Sequence, residues 1–314
     1  MHTYFLNDNE SLPHNNVATI GFFDGVHRGH QHLIKMVMDA AQAQGTSSMV
    51  ITFATHPRQV LDSTFRPNLL TFPDEKMIRL SQTGVDNCVV LPFDHEMAMM
   101  TAREFMEQVL RDRLGVTTLV MGYDNRFGHG RKEGFEDYVV YGKELGIDVI
   151  RATELQYDGK SVSSSIIRQM VIRGDMTSAN QLLGYPYSLV GRVVEGFQQG
   201  RKLGFPTANL DITGREKIIP APGVYAVRAR VEGQMEMKRA IMNIGTRPTL
   251  DDGELTIETH IINYDADLYG KHLIVAIEER LREERRYEHV GLLVAQMRED
   301  VKMAIDFFNK TQEE

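Results

Sequence analysis

Along the first half of the chain, short continuous apolar runs alternate with stretches whose apolar residues recur every three or four positions. Val17-Ala-Thr-Ile-Gly-Phe-Phe23, Met49-Val-Ile-Thr-Phe53, Cys88-Val-Val-Leu-Pro-Phe93, Thr117-Thr-Leu-Val-Met121 and Ile147-Asp-Val-Ile150 read as buried strands. Between the first two, residues 30–44 place Leu33, Ile34, Val37, Ala40 and Ala41 on one helical face before Gly45 ends the pattern. Further helices are predicted from Asp74, from the capping box Thr101-Ala-Arg-Glu104 to near Gly115, and over 135–145. Apolar strands separated by helices call for an α/β domain, a mostly parallel sheet covered by helices.

Two short helical stretches, 164–172 and 177–183, then lead to Gly184-Tyr-Pro186, and the texture changes. Tyr187 to Val194, 223–231, 238–243, 255–262 and 272–278 are short strands separated by turn residues, the pattern of a small antiparallel β-barrel. A helix over 288–308 follows. Two domains are therefore predicted, 1–184 and 185–314.

Length agrees, since 314 residues correspond to two domains of about 150 residues. A 42% apolar and 25% charged composition argues against disorder and fibrous repeats. The single cysteine, Cys88, excludes an intramolecular disulfide and reads as a buried strand thiol, which favours a cytoplasmic location. Neither a signal peptide nor an apolar run long enough to span a membrane is visible, so no membrane partner is expected. Thirty-five basic against 43 acidic residues, a net charge of −8, disfavour a nucleic-acid partner. A polyanion handled by this chain should be small and met by local donors.

One such place is Gly21-Phe-Phe-Asp-Gly-Val-His-Arg-Gly-His30, which joins the first strand to the first helix. Asp24-Gly25 supplies a turn, Gly29 permits close backbone approach, and His27 and His30 stand at a helix start, where N–H groups favour an anion. Two imidazoles there can stabilise charge that builds when a phosphorus is attacked. Packing or capping is the structural alternative, and zinc is another, although no metal-spaced cysteine or acidic set lies nearby.

The segment resembles the His-x-Gly-His motif of nucleotidylyl transferases, and Phe-Asp-Gly-Val-His-x-Gly-His is similar to that of the bacterial bifunctional riboflavin kinase/FAD synthetases. Thr52-Phe53 with His56-Pro57, Gly122-Tyr-Asp-Asn-Arg-Phe-Gly128, and Ser163-Ser-Ser-Ile-Ile-Arg168 follow strand candidates, where an open parallel sheet binds ligands. The resemblance implies a Rossmann-like nucleotidylyl transferase domain. Its ATP or phosphate contacts would come from Gly21, Phe23, Asp24, Gly25, Gly29, Asp124, Arg126, Ser163 and Ser164. His27, His30 and Arg168 would act in adenylyl transfer, Arg168 through a guanidinium fork suited to two phosphate oxygens. Two departures stand out: Asn125 replaces a usual phenylalanine, and Ser165 a usual threonine.

In the second half, Gly196-Phe-Gln-Gln-Gly-Arg-Lys-Leu-Gly-Phe-Pro-Thr-Ala-Asn209 spaces Gly196, Gly200 and Gly204 so that backbone can wrap phosphate. Arg201 and Lys202 add charge, and Thr207 and Asn209 offer oxygens of the kind Mg²⁺ accepts. A flexible barrel loop is the plain alternative; a P-loop is excluded because Gly-x4-Gly-Lys-Ser/Thr is absent. Leu203-Gly-Phe-Pro-Thr-Ala-Asn-Leu210 resembles the Pro-Thr-Ala-Asn motif of riboflavin kinases. Pro222-Gly-Val-Tyr225, Asn243-Ile-Gly-Thr-Arg-Pro-Thr249, Glu258-Thr-His-Ile261 and Asp267-Leu-Tyr-Gly270 follow in the expected order. By that resemblance Thr207 and Asn209 hold the metal, and Glu258 is general base toward the ribityl 5′-hydroxyl. Period alone would put Glu258 on the exposed side of an alternating strand.

The resemblance runs from about Val17 to about Tyr287. It implies ATP-dependent phosphorylation of riboflavin to FMN in the barrel, then adenylylation of FMN to FAD in the first domain. ATP would be co-substrate, Mg²⁺ or another divalent cation the metal, and no bound redox cofactor is required. Two other readings remain: a nucleotidylyl transferase for another phosphate ester with a substrate-binding barrel, and a flavin-sensing protein with degenerate sites. The charge run 278–286 is assigned no catalytic role.

Overall fold

The computed structural model describes residues 1–6, 12–196, 200, 203–212, 216–246 and 255–311. The chain divides into two compact units, Met1–Ser164 and Ser165–Glu314.

In the first unit, β1 (His2–Phe5), β2 (Asn16–Ile20), β3 (Ser47–Phe53), β4 (Asn87–Leu91), β5 (Val116–Met121) and β6 (Asp148–Arg151) form one sheet. Its order is β1-β4-β3-β2-β5-β6, and every pairing is parallel. The strands read as continuous apolar runs because both faces are covered. Ala18, Met49, Ile51, Val89 and Leu119 pack on one side with Phe105, Met106, Leu110 and Tyr138. Val17, Val50, Cys88, Val90 and Val120 pack on the other with Ile34, Val37 and Leu80. Cys88 is wholly buried there, and burial pushes its thiol up to about 12, so it is an inert core residue.

The helices of this unit are α1 (Arg28–Gln44), α2 (Pro57–Leu61), α3 (Pro73–Ser81), α4 (His95–Met99), α5 (Ala102–Glu104) and α6 (Phe135–Leu145). A small hairpin, β7 (Gln156–Tyr157) and β8 (Lys160–Ser161), follows β6. Gly45 ends α1 at φ 65°, as its position predicted. Three local outcomes differ from the sequence pattern. First, β2 stops at Ile20 instead of reaching Phe23, because Phe23 turns to φ 56° and enters the α1-side core. Second, the expected helix after Thr101 begins as α5 but continues as a π-helix over Phe105–Arg113, with Leu114 N–H donating to the Val109 carbonyl. Third, β1 adds an edge strand whose exposed side chains gave no apolar signal; its register is set by backbone pairing to β4.

The second unit opens with α7 (Ser164–Arg173, its first residue in the first unit) and α8 (Met176–Leu183). Compactness groups α8 with the barrel for a visible reason. The Asn180 side chain donates to the Ile277 and Glu278 carbonyls and accepts from Tyr187 N–H. Then β9 (Tyr187–Val194), β10 (Ala208–Asp211), β11 (Gly223–Val231), β12 (Lys238–Thr246), β13 (Leu255–Ile261) and β14 (His272–Glu283) close an antiparallel barrel in the order β10-β13-β12-β11-β14-β9. The five strands read from sequence leave a gap, which β10 fills by pairing Asn209 with both Glu258 and Val194. Closure removes the unpaired edges of β9 and β13.

The last helix, α9 (Val290–Lys310), buries Ala304 and Phe308 against Ala226 and Ile241. Its other tie is ionic. The Arg282 guanidinium on β14 donates to both oxygens of Asp300 at 2.7 Å, and Gln296 donates to the same carboxylate at 2.9 Å. Asp300 is 2% exposed and the Arg282 side chain 14%, so deleting the carboxylate would leave a largely buried guanidinium without its ion-pair partner. Asp300→Ala is expected to destabilise the second unit by about 3–5 kcal/mol, read as a shift of its unfolding transition in denaturant.

Two candidate active sites

In the first unit the candidate site lies where the sheet changes direction. The chain leaves the central strand β2 through α1 to β3 on one side, and β5 pairs on the other, so the carboxyl end of β2 faces the crevice where such sheets take ligands. The loop from Gly21 to His27 occupies that end. His27 is 4% exposed and caps α1: its Nδ1 accepts from His30 N–H at 3.2 Å. An accepting Nδ1 puts the ring proton on Nε2, which makes that nitrogen a donor. The His30 ring stacks on His27, centroids 3.6 Å apart, and meets the Phe23 edge at 5.1 Å. Gly29 is needed for this arrangement, since a Cβ would stand 3.2 Å from the His27 ring and 3.1 Å from the Val162 carbonyl.

The other residues named from sequence fall into three groups. Ser164 is at the loop, its hydroxyl donating to the Asp24 carbonyl at 3.0 Å. Asp24 and Phe23 are turned inward and serve the loop's shape. Asp24, 3% exposed, accepts from Leu70 N–H at 3.0 Å and from the amide and hydroxyl of Thr71. The Asp24 carboxylate is thus engaged by donors within the protein, and the phosphate-binding role expected at this position falls to the loop it shapes. Phe23, 2% exposed, has its ring in the core, and only its backbone is placed to meet a ligand. Gly21 lies beneath that ring, and Gly25, at φ 82°, donates to the Thr71 hydroxyl.

Asp124 and Arg126 are exposed on the loop after β5. Asn125 explains its own departure from the family pattern, because its side-chain amide donates to the Ile20 carbonyl at 2.5 Å and ties this loop to the end of β2. Phe127 anchors the far end by stacking on Tyr138 with centroids 4.5 Å apart. Next to β3, His56 caps α2 and meets the Phe22 ring at 4.7 Å. Ser163 directly precedes α7, on which Arg168 lies within the second unit. Among the described residues no cluster of three or more His, Cys, Asp or Glu could hold a metal ion.

Sequence reasoning missed Lys76. This α3 residue is 5% exposed, and its ammonium donates to the Phe22 carbonyl, the Thr52 hydroxyl and the Phe53 carbonyl, each at 3.1 Å. Burial pulls its pKa down to about 8. Amphipathic reading treats a lysine in a short helix as solvent-facing, so only its place below two strand ends reveals it.

In the second unit the candidate site is a cavity of about 560 Å³ beside the barrel, lined by Gly200, Thr207, Asn209, Asn243, Glu258 and His260 on one side and Arg282, Tyr287 and Asp300 on the other. Glu258 does alternate with the buried Ile257 and Thr259, but its face of the strand looks into this cavity and not into bulk solvent. Strand register sets it opposite Asn209 on β10 and Asn243 on β12. The Thr207 hydroxyl donates to the Glu258 carboxylate at 3.3 Å. His260 Nδ1 lies 2.8 Å from the Pro206 carbonyl and its ring meets Phe205, which pins the approach to Thr207.

Two glycines permit that packing. At Gly196 a Cβ would overlap the Asn209 amide, and at Gly200 it would overlap the Phe205 carbonyl. Gly204, at φ 84°, turns the chain into Phe205-Pro206. Arg201, Lys202, Arg247, Pro248 and Thr249 lie outside the described residues.

Comparison with known proteins is consistent along the whole chain. Residues 9–166 match the family model for FAD synthetase, and residues 183–308 match that for riboflavin kinase. The bifunctional riboflavin kinase/FMN adenylyltransferase of Escherichia coli K12 is 36% identical over 94% of this chain and 94% of its own length. The protein of the same name from Bacillus subtilis is 33% identical, covering 93% and 92% respectively. A crystal structure described as a macrolide-efflux protein from Streptococcus pneumoniae matches with a TM-score of 0.87 and 30% identity over 97% of this chain and 99% of that one. Among the described residues here, no helix is long and apolar enough to cross a membrane. With both domain models matched in order and full-length relatives above 30% identity, the chain belongs to the bifunctional riboflavin kinase/FMN adenylyltransferase family.

Proposed function

We propose that this chain makes FAD from riboflavin in two ATP-dependent steps, with the barrel domain (185–314) forming FMN and the amino-terminal domain (1–184) adenylylating it. The observation that carries this reading is that each family's motif residues meet at a separate, built site: the stacked His27–His30 pair on α1, and the Thr207–Asn209–Glu258 group in the barrel cavity.

In the first step, Glu258 takes the proton of the ribityl 5′-hydroxyl as that oxygen attacks the γ-phosphorus of ATP and ADP departs. The bond from Thr207 orients the carboxylate. The Thr207 hydroxyl and the Asn209 amide oxygen are hard donors that fit Mg²⁺. Electrostatics supports a cation here as well, since the described lining of the cavity carries Glu258, Glu284 and Asp300 against Arg282 and Arg285. When bound, the metal would offset charge on the β- and γ-phosphates. Arg201 and Lys202 are proposed as further phosphate contacts on the loop that also holds Gly196, Gly200 and Gly204.

In the second step, a phosphate oxygen of FMN attacks the α-phosphorus of ATP and pyrophosphate leaves. His27 and His30, with the first N–H groups of α1, donate to the oxygens on which charge accumulates. Ser163 and Ser164 contact the triphosphate, Asp124 and Arg126 lie on the loop proposed for the flavin phosphate side, and the role in adenylyl transfer that the family motif implies for Arg168 is part of the same proposal. Neither step needs an activated serine or cysteine. Localisation in the cytoplasm, where both substrates are made and used, is part of the same proposal.

Purified protein given riboflavin, ATP and Mg²⁺ is expected to yield FMN and then FAD by chromatography; absence of both sinks the enzymatic reading in favour of a sensing role. Glu258→Gln should lower FMN formation by at least about 100-fold while FAD formation from supplied FMN stays near wild type, the loss expected of a general base. Equal loss of both reactions would argue against separate sites. Replacing His27 and His30 together by alanine should stop the pathway at FMN, with a fall of about 100-fold or more in FAD formation. Continued FAD accumulation would remove the two imidazoles from the mechanism.

A further inference from the structure

The residues of the first site do not hold themselves in place. Phe23 and Val26 stand at φ 56° and 35°, in the region that favours glycine, so the loop from Gly21 to His27 needs support from outside to keep its shape. Ser164, Thr52 and Gln31 supply single hydrogen bonds to it, and the largest set comes from segment 70–76, which contains none of the motif residues. Leu70 and Thr71 donate to the Asp24 carboxylate, Gly25 N–H donates to the Thr71 hydroxyl, and Lys76 Nζ donates to the Phe22 carbonyl. The same ammonium also holds the Thr52 hydroxyl and the Phe53 carbonyl, so one cation ties the loop after β2 to the end of β3. Three donors meet three acceptors, and the charge lies 4.3 Å from the Phe22 ring centroid.

A buried ammonium is costly. An apolar side chain of equal length would pack against Phe22 without that cost, so packing alone does not account for a lysine here. We propose that Lys76 is a positioning residue for adenylyl transfer, its ammonium holding the backbone of the phosphate loop so that His27 and His30 meet the ATP phosphates. With its donors spent on protein oxygens, Lys76 acts through the loop and does not touch substrate. The inference rests on the adenylyl-transfer reading above.

Protonation gives the device a signature. Burial lowers the Lys76 pKa from the ordinary 10.5 to about 8, opposed by Cys88 on β4 and by Asp24 in the loop. Above that pH the amine keeps two N–H donors but loses the charge that strengthens its hold on the Phe22 and Phe53 carbonyls. Folding responds in the opposite sense. Between about 8 and 10.5 the folded chain binds fewer protons at this lysine than the unfolded chain, so the contribution of Lys76 to stability rises with pH across that window. Loss of positioning is thereby separable from loss of fold.

The test uses the full-length protein, assayed for each reaction separately, so that the barrel domain serves as an internal control. Wild-type protein that makes no FAD from FMN and ATP would defeat the adenylyl-transfer reading itself. Given that activity, Lys76→Met is expected to lower kcat for FAD formation by about 100-fold, the scale of an ångström-sized misplacement, with riboflavin phosphorylation unchanged. FAD formation at the wild-type rate, or a change confined to KM, overturns the proposal. If the variant loses both reactions, the wild-type pH profile decides. A fall in FAD formation with an apparent pKa near 8, not shared by riboflavin phosphorylation, supports positioning by the ammonium; parallel or flat profiles from about pH 7 to 9.5 overturn it.

Discussion

A carboxylate that is 3% exposed has to find donors, and Asp24 finds them in the Leu70 amide and in the amide and hydroxyl of Thr71. Most of the first site follows from that requirement. With Asp24 drawn inward, the chain turns at Gly25 and presents His27 at the first turn of α1, where its Nδ1 caps the helix. The cap fixes the tautomer, and the tautomer directs a donor toward the crevice. Ser164 then reaches the Asp24 carbonyl, which registers the start of α7 against the same loop. Buried charge of this kind is weak support for stability, because desolvation cancels much of the gain; its effect is to select one loop conformation over others.

The barrel solves the same problem with backbone closure instead of a buried charge. Its short strand β10 completes the ring and, by pairing Asn209 with Glu258, sets the spacing between an amide and a carboxylate on neighbouring strands. A Cβ at Gly196 would meet the Asn209 amide and one at Gly200 the Phe205 carbonyl, so both positions favour glycine. The Arg282–Asp300 pair ties α9 to β14 beside the cavity, so that part of the lining depends on an ion pair as well as on strand closure.

The layered α/β architecture was legible because both faces of the sheet are covered, which makes the interior strands mostly apolar and the long helices periodic, whereas the short α2 and α4 bury no side chain and left no period to read. The edge strand β1 was not legible: its side chains face solvent, and parallel backbone pairing leaves no mark on composition. Strand β10 was hidden for a related reason: it is only four residues long, follows a proline, and its Asn209 marks a turn in isolation and becomes a strand residue only through closure of the barrel. The π-helix after Glu104 carries the same apolar face an α-helix would. Among site residues, His27, His30, Thr207, Asn209 and Glu258 were readable because their chemistry is unusual for their spacing. Lys76 was not, because a lysine betrays its burial only through what surrounds it. For Asp24, spacing reports that a carboxylate stands in a loop, while its direction depends on a segment some 46 residues away along the chain.

Net charge is a poor guide to either site for a reason the geometry makes explicit. At physiological ionic strength charges beyond about 8 Å are largely screened, so the overall −8 has little voice where phosphates would lie. In the first unit Lys76 answers Asp24 below the surface, and the α1 start offers N–H groups and imidazoles beside it. In the barrel, Arg282 is committed to Asp300, and the remaining described lining sets Arg285 against Glu258 and Glu284. Acidic side chains therefore outnumber basic ones in the described lining, while Arg201 and Lys202 lie outside it. The carboxylate proposed to take the proton from riboflavin thus also favours the divalent cation that its neighbours Thr207 and Asn209 are proposed to hold.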